Sequence, residues 1–235
     1  MNRLRLVAWS LSALYPPFLF LSVLDVPRPL SLVAAVVSTP IFFVTFYLLA
    51  SYSELGGRRT LYFLAASAAI SYAFEFLGVH YGLPFGKYYY TKGLGLKVLG
   101  VPVYIPLLWA SLGFYSLAAT GSYLAASLAM VAMDLAFDPF LTIEGHLWVW
   151  QTRGPYYGVP ITNFIGWFVV SMAFYYAYDA LGKAKPRPRL VSRAFYLEYV
   201  AAWSAMDFVS GLWLAGAAGL LAASLALALG ALTGT

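Results

Sequence analysis

The sequence contains no cysteine, which excludes disulfides, thiolate metal sites and cysteine nucleophiles. Histidine is nearly absent too, because His80 and His146 are the two in the chain, too few for a histidine-rich metal centre. Only 10% of the residues are charged, against roughly 25% in an ordinary soluble domain. A Gly-rich phosphate loop, an Asp-rich prenyl-diphosphate motif and an HExxH pattern are also lacking, which argues against diphosphate-dependent transfer and zinc proteolysis.

Apolar residues dominate instead: 62% of the 235 residues are hydrophobic, and the mean hydropathy is +0.78. No soluble fold of this size has enough interior to hide so much apolar surface, so the surrounding solvent must be lipid. The formal net charge is +5, but the basic residues lie mostly between hydrophobic stretches. They are typical of topology determinants facing anionic lipid, not of a nucleic-acid surface. We therefore expect one all-α transmembrane domain over residues 1–235.

The hydrophobic stretches predict a polytopic bundle of seven or eight helices, since a helix needs roughly 20 apolar residues to cross the hydrocarbon core. The uncharged tail, residues 214–232, is the candidate eighth span. Proline breaks the pattern in the basic connector after the sixth span, where Pro186 and Pro188 forbid helix. The seven other predicted spans are residues 6–24, 30–50, 61–79, 104–120, 122–138, 161–181 and 195–213.

Lysine and arginine are distributed unequally between the two sides of this bundle. Nine lie on the side of the N-terminus: Arg3, Arg5, Arg58, Arg59, Lys183, Lys185, Arg187, Arg189 and Arg193. Five lie on the other: Arg28, Lys87, Lys92, Lys97 and Arg153. Because basic residues favour the cytoplasmic side, the count predicts a multi-pass protein of the cell membrane with a cytoplasmic N-terminus.

Among the acidic residues inside or at the ends of predicted spans, four are singled out: Glu75, Asp134, Asp138 and Asp207. A carboxylate in lipid costs several kcal/mol unless the bundle buries it or a proton neutralises it, so each is a functional candidate; the alternative is a structural hydrogen bond between helices. Glu75 lies about 21 Å and Asp134 about 18 Å along spans of the same direction. Asp138 follows one turn later on the same helix face as Asp134. All four acids are therefore expected in one outer layer of the membrane.

The loops after the third and fifth predicted spans lie on this same side and are rich in aromatic residues, Gly and Pro. They comprise residues 80–90 and 145–160. A solvated loop does not need so many rings, so we expect both loops to fold over the bundle mouth, where irregular backbone is tolerated if protein buries it. The alternative is an aromatic belt at the membrane interface.

A longer pattern of acid, aromatic loop, Gly-Val-Pro and Trp occurs twice. Residues 100–102 precede Trp109 by the same interval as residues 158–160 precede Trp167. This predicts a parallel repeat about an axis along the membrane normal. The acids of the third and fifth spans would then face one another across a shared cavity.

Taken together, these segments resemble the carotenoid biosynthesis membrane-protein family, whose characterised members are hydratases of the bisanhydrobacterioruberin and carotenoid 1,2-hydratase type. The resemblance covers roughly residues 60–180, about half of the chain. It implies an enzyme that adds water to a terminal C=C bond of an acyclic C40 or C50 polyene. The residues that carry it are Glu75 with the segment 82–90, the segment 134–139, the Trp148-Val-Trp150 pair and the segment 156–167.

Hydration of such an alkene is acid chemistry that needs no metal and no organic cofactor. A protonated acid adds a proton to the less substituted carbon, and water then captures the tertiary carbocation. A carboxyl group in apolar surroundings, beside a second acid, retains its proton near neutral pH. We expect Asp134 or Glu75 to be the proton donor and Asp138 the base that positions water.

Further residues are expected around these acids. Asn163 would hold the water, aromatic faces would shield the cation, and Asp207 and His80 are possible accessory residues. The expected substrate-binding set is Tyr88, Trp148, Trp150, Tyr157, Asn163 and Trp167. The partners are a lipophilic polyene and membrane lipid, while the oligomeric state leaves no mark in the sequence.

Two other functions share these features. A carotenoid cyclase or isomerase would use the same protonated acid but lose a proton instead of capturing water. A small proton-coupled lipid transporter would also explain intramembrane acids and a repeat. Product mass separates the first from a hydratase, and transport in proteoliposomes would indicate the second.

Overall fold

The computed structural model describes residues 3–23, 27, 29–30, 40–182 and 184–233, and this part of the chain is mainly helical. Its helices are α1 (Arg3–Val23), α2 (Pro40–Leu55), α3 (Gly57–Tyr81), α4 (Ile105–Thr120), α5 (Tyr123–Ile143), α6 (Ile161–Gly182), α7 (Leu190–Val209) and α8 (Trp213–Thr233). Four short strands lie in the loops: β1 (Tyr88–Tyr90), β2 (Lys97–Val98), β3 (Val101–Pro102) and β4 (Trp148–Trp150).

The expected transmembrane helical bundle is confirmed. Four of the described helices, α3, α5, α6 and α8, are long and apolar enough to cross a membrane. Helix α8 contains the candidate eighth span. Helix α4 is shorter, and its 16 residues extend about 24 Å, less than the hydrocarbon core of roughly 30 Å. The loop before α4 therefore occupies part of the depth that a longer helix would span.

Three predicted spans differ from the structure by five residues or more at one end. The second helix continues to Leu55, and residues 31–39 of its predicted span lie outside the described residues. The seventh helix is Leu190–Val209, not 195–213, because the backbone N–H of Arg189 donates to the Ser192 hydroxyl (3.0 Å) at its start. It ends before Gly211, whose φ of 77° is the left-handed conformation that terminates helices. The fifth helix passes through Pro139 to Ile143, so Asp138 lies inside it.

The helices alternate in direction, which brings the starts of α1, α3 and α7, the three helix ends that carry arginine, to one side of the bundle. At this basic end the Arg5 guanidinium lies 2.7 Å from the Glu54 carboxylate, joining the start of α1 to the end of α2. The Ser192 hydroxyl donates to the carbonyl oxygen of Ala118 (2.7 Å), joining α7 to α4. The opposite end carries the two aromatic loops.

Helices α4 and α5 form the centre of the bundle. Of the 16 residues of α4, 14 are buried, so this helix contacts protein on nearly all sides. Helix α8 packs so closely on α5 that a Cβ atom at Gly219 would lie 2.6 Å from Cβ of Ala136. Only glycine permits this approach of the two backbones.

The aromatic loops contain the same turn in each half of the repeat. Leu99 and Gly100 have φ of 48° and 83°, and Tyr157 and Gly158 have 53° and 89°. Positive φ at both central residues defines a type I′ hairpin turn. Bridges close the turns between Val98 and Val101 and between Tyr156 and Val159. The structure thus agrees with the predicted repeat.

The two halves meet in an antiparallel pair formed by β1 and β4, here named the aromatic ribbon. Tyr88 lies opposite Trp150, and Tyr90 lies opposite Trp148. β1 and β4 occupy equivalent positions in the two halves of the repeat. An antiparallel pair of equivalent strands is related by a two-fold axis through its centre, and this agrees with the predicted repeat axis along the membrane normal. The ribbon closes the end of the bundle over the acids.

Candidate active site

The aromatic ribbon presents one face to the bundle and the other outward, as the two-residue period of a strand requires. Tyr88 and Tyr90 are buried, whereas Tyr89 between them is 46% exposed. Trp148 and Trp150 likewise point inward. Four aromatic side chains that carry O–H or N–H donors are therefore directed at the ends of α3 and α5.

Glu75, on α3, accepts hydrogen bonds from three aromatic donors. The hydroxyls of Tyr88 and Tyr90 donate to Oε2, the latter over 2.7 Å, and Nε1 of Trp109 donates to Oε1 over 2.8 Å. Burial first, and then the Glu75 carboxyl, raises the pKa of both tyrosines, so they remain protonated donors. Hydrogen bonds of this kind favour the charged form of a carboxyl group, whereas the burial of Glu75 favours the neutral form.

Close packing holds this arrangement in place. A Cβ atom at Gly78, three residues after Glu75 on α3, would lie 2.9 Å from the rings of Phe85 and Tyr88. A Cβ atom at Gly166 on α6 would lie 2.5 Å from the same Phe85 ring. Glycine at both positions lets Phe85 enter between α3 and α6 and lets Tyr88 reach Glu75.

Asp134 and Asp138, one turn apart on α5, share the side-chain amide of Asn163 on α6. The Asn163 nitrogen lies 2.6 Å from Oδ2 of Asp134 and 3.0 Å from Oδ2 of Asp138. Asp138 also accepts from the indole N–H groups of Trp148 (2.8 Å) and Trp150 (3.3 Å) through Oδ1. Asp138 thus accepts three N–H donors, whereas within the described residues Asp134 accepts one.

This difference in hydrogen bonding affects which of the two carboxyl groups carries a proton. Carboxylates held close to one another cannot both ionise freely, so such a pair retains a proton. Hydrogen-bond donors stabilise the charged form, and Asp138 has more of them than Asp134. The geometry therefore favours Asp138 as the carboxylate and Asp134 as the carrier of the proton.

The proline inside α5 adjoins this pair. Pro139 has no N–H to donate to the carbonyl of Leu135, the residue after Asp134. The hydroxyl of Tyr156, from the loop after α5, donates to this carbonyl oxygen instead (2.9 Å). The loop thereby replaces the lost helix hydrogen bond at the level of the acids.

Two indole rings line the site between the two halves. The rings of Trp109 and Trp167 stack with centroids 4.0 Å apart and planes inclined by 25°. Phe137 packs edge-on against Trp167, with centroids 5.5 Å apart. These aromatic rings thus line the same cavity as the acids.

A cavity of about 250 Å³ joins these groups. Its apolar lining extends from the aromatic ribbon to Tyr15 on α1, Phe43 on α2 and Tyr199 on α7, so it lies along several helices rather than within one loop. The other lining residues are Leu19, Glu75, Phe85, Tyr88, Tyr90, Leu94, Tyr104, Ile105, Leu108, Trp109, Leu112, Asp134, Phe137, Asp138, Leu141, Leu147, Trp148, Trp150, Asn163, Trp167 and Trp203.

The cavity brings together most of the residues predicted for the site. Glu75, Asp134, Asp138, Tyr88, Trp148, Trp150, Asn163 and Trp167 all line it. Three predicted residues do not. The Tyr157 hydroxyl accepts from the backbone N–H of Leu214 (3.1 Å), Asp207 is buried in α7, and His80 is exposed with its ring against Phe76.

Sequence reasoning did not select Tyr90 and Trp109, which complete the set of donors around Glu75. Their signals were present in the Tyr88-Tyr89-Tyr90 alternation and in the repeated Trp. Among the described residues no group of three or more His, Cys, Asp or Glu side chains is arranged to hold a metal ion. The predicted absence of a cofactor stays a prediction.

The chain is similar in sequence to proteins of carotenoid biosynthesis. The family model described as "Carotenoid biosynthesis protein" matches residues 34–230. The bisanhydrobacterioruberin hydratase of Haloarcula japonica is 29% identical over 221 residues, which cover 85% of this chain and 74% of that protein. No solved structure matches the chain.

Proposed function

Because the chain belongs to the carotenoid biosynthesis protein family, we propose that this membrane enzyme is a hydratase that adds water across a terminal C=C bond of an acyclic C40 or C50 polyene. The observation that carries the proposal is the pair Asp134 and Asp138, bridged by Asn163 beside an apolar, aromatic cavity. This arrangement supplies a proton, a base and a dry surface for a carbocation. The name of the Haloarcula japonica relative supports the same reaction.

Asp134 is the proposed proton donor. It is buried, it lines the cavity, and it has fewer hydrogen-bond donors than Asp138. Its proton adds to the less substituted carbon of the terminal double bond, and the π electrons form the new C–H bond. The positive charge is left on the tertiary carbon, and Asp134 becomes a carboxylate.

The cation then lies against the rings of Trp109, Trp167 and Phe137. An aromatic face stabilises a nearby cation by about 0.5–2 kcal/mol, more when water is excluded. Glu75, held by Tyr88, Tyr90 and Trp109, adds a fixed negative charge to the cavity wall. In this proposal Glu75 stabilises the cation electrostatically and is not the proton donor.

Water completes the reaction beside Asp138. A water oxygen attacks the tertiary carbon while the Asp138 carboxylate accepts one of its protons, leaving the alcohol. The proton then passes within the pair bridged by Asn163, which restores protonated Asp134 and the Asp138 carboxylate. One water is consumed, and no proton is gained or lost overall, which makes the enzyme a hydro-lyase that needs neither metal nor organic cofactor.

The cavity volume fits one end of the substrate. An apolar cavity of about 150 Å³ binds one benzene ring, so about 250 Å³ accommodates roughly ten carbon atoms. The remaining polyene must extend beyond it, past the rings of Tyr15, Phe43 and Tyr199 on α1, α2 and α7. These rings would then contact the polyene beyond its reacting end.

The position of the basic residues supports an orientation in which the N-terminus is cytoplasmic. Arg58 and Arg59 at the start of α3 lie at the basic end, as do the arginines before and within the first turn of α7. Because basic residues favour the cytoplasmic side, the candidate active site would lie in the outer half of the cell membrane.

The test is expression of the whole chain in a host that makes lycopene and in a second host that makes an acyclic C50 carotenoid, followed by mass analysis of the pigments. A hydratase yields products heavier by one or two waters, and growth in ¹⁸O-labelled water places the label in the alcohol. Products of unchanged mass would indicate a cyclase or isomerase. Unaltered pigments in both hosts, with the protein present in the membrane, would refute an enzyme acting on acyclic polyenes.

A further inference from the structure

The buried face of α7 leads from the cavity toward the outer end of this helix. Tyr199, Trp203 and Asp207 lie above one another at intervals of four residues, on one face of the helix. Tyr199 and Trp203 line the cavity. Asp207 is the next residue in this row, close to the end of α7 at Val209.

Asp207 is 0% exposed, and within the described residues neither of its carboxyl oxygens has a hydrogen-bond partner. The hydroxyl of Ser204, three residues earlier, is also buried and without a partner there. A buried polar group left without a hydrogen bond costs about 1–3 kcal/mol, and more when charged. Buried water molecules usually satisfy such groups, and three neighbouring polar oxygens are enough to hold one.

Tyr156 connects this region to the acids on α5. Its hydroxyl donates to the carbonyl oxygen of Leu135, the residue next to Asp134. Burial first, and then the carboxyl groups of Asp207, Asp134 and Asp138, raises the pKa of Tyr156. The phenol therefore lies within electrostatic reach of the acid on α7 and of both acids on α5.

The outer end of α7 reaches the surface two residues beyond Asp207. Asp207 is followed by Val209, which is 72% exposed, and by Gly211, which is exposed in the short connection to α8. The cavity, in contrast, is lined mainly by apolar and aromatic side chains, which offer a water molecule few partners. Polar groups thus lead from the outer end of α7 toward the acids behind a largely apolar wall.

We propose that Asp207, Ser204 and Tyr156 line a water-entry path from the outer end of α7 to the Asp134–Asp138 pair. The inference rests on the proposed function, because each hydration consumes one water that must reach a dry site. The path supplies water alone, since the proton is returned within the acid pair. Asp207 is thus a positioning residue that acts through hydrogen bonds to water, and its charge is not required.

The absence of cysteine allows the path to be tested without an activity assay. Ser204→Cys and Asp207→Cys are each treated in membranes with a small, water-soluble methanethiosulfonate, which reacts with thiolates and therefore requires water at the thiol. Ala223→Cys on α8, also 0% exposed, is the control. We expect the variants at 204 and 207 to react and the control to remain unmodified.

If the thiols at 204 and 207 are as unreactive as the control, no water path exists there. Ser204→Cys changes a single atom, so it carries the test even if Asp207→Cys folds poorly. The result is independent of the reaction catalysed. A wild-type protein that hydrates no polyene would overturn the proposed function, while the labelling would still decide whether the path exists.

Kinetics then test the role of the path. Asp207→Asn keeps hydrogen-bonding groups and should retain the wild-type kcat. Asp207→Leu should lower kcat about tenfold with KM for the polyene unchanged, because the loss of one hydrogen bond to water of about 1.4 kcal/mol gives this factor. Glu198→Leu, on the same helix and partly exposed, is the control. Wild-type kcat in Asp207→Leu, or equal losses in the Asn and Leu variants, would overturn the role.

Discussion

The indole rings of Trp109 and Trp167 stack with their centroids 4.0 Å apart, although the two residues belong to different halves of an internal repeat. Each follows a Gly-Val-Pro segment and a type I′ turn in its own half. The halves share this scaffold but not their acids. Glu75 is alone at the end of α3, whereas Asp134 and Asp138 form a pair on α5. The repeat therefore provides much of the cavity lining, and the divergence of its halves provides the proposed donor and base.

Asp134→Asn should reduce hydration by about 10²–10⁴-fold, the usual effect of removing a general acid. The amide has the same shape as the carboxyl group but cannot protonate an alkene. Pigment mass analysis measures the loss, and the yield of protein in the membrane checks folding. Asp179→Asn, at the basic end where Asp179 accepts from Tyr123 (2.7 Å), is the matched control and should remain active. Near wild-type hydration by Asp134→Asn would remove Asp134 from the mechanism.

Tyr88→Phe should lower both activity and stability, while Tyr89→Phe on the outer face of the aromatic ribbon should change neither. The first variant removes one of three donors to Glu75, and a hydrogen bond to a charged group contributes about 1.5–3 kcal/mol. Thermal inactivation in detergent and the initial rate of hydration are the measurements. Equal behaviour of the two variants would show that the contact between Tyr88 and Glu75 contributes nothing.

Trp167→Leu should lower kcat roughly tenfold, since a ring facing a desolvated cation contributes up to about 2 kcal/mol. Trp167→Phe keeps an aromatic face and should lose less than the Leu variant. Trp213→Leu is the control, because Trp213 is 66% exposed at the start of α8, outside the cavity. If Phe and Leu at position 167 lower kcat equally, packing and not the ring face explains the loss.

The membrane bundle and the positions of the acids follow from the sequence for simple reasons. Apolar composition predicts helices in lipid, and α8 confirms the candidate eighth span as a helix long enough to cross the membrane. The family resemblance, made on residues 60–180, is confirmed over the wider range 34–230. Asp134 and Asp138 lie on one face of α5 because the helix period places them there. The catalytic roles of these residues stay predictions.

The pairing of strands that are distant in the chain could not be predicted from the sequence. No hairpin joins Tyr88 to its partner Trp150, so nothing local specifies the register of the aromatic ribbon. The contact of Trp109 with Glu75 depends on that packing as well. Positive φ at Leu99 and Tyr157 is unexpected for bulky residues, and it places Tyr157 against α8 and away from the cavity.

The hydrogen bond from Tyr156 to Leu135 leads to a prediction that separates stability from catalysis. Tyr156→Phe leaves the Leu135 carbonyl without a donor, because Pro139 cannot supply one. The expected loss is about 1 kcal/mol in the free energy of unfolding. Pro139→Ala restores the backbone N–H, so in a double-mutant cycle Tyr156→Phe should cost less in the Pro139→Ala background. Unfolding in mixed detergent measures each corner of the cycle.

The wild type, the two single variants and the double variant of this cycle should also differ in their hydration rates. Since the Tyr156 hydroxyl also belongs to the proposed water path, kcat should stay low in the double variant although its stability recovers. A backbone N–H can repair the helix, but it points along the helix axis and cannot replace the Tyr156 hydroxyl in the proposed path. If kcat recovers together with stability, Tyr156 only supports α5, and water reaches the acids without it.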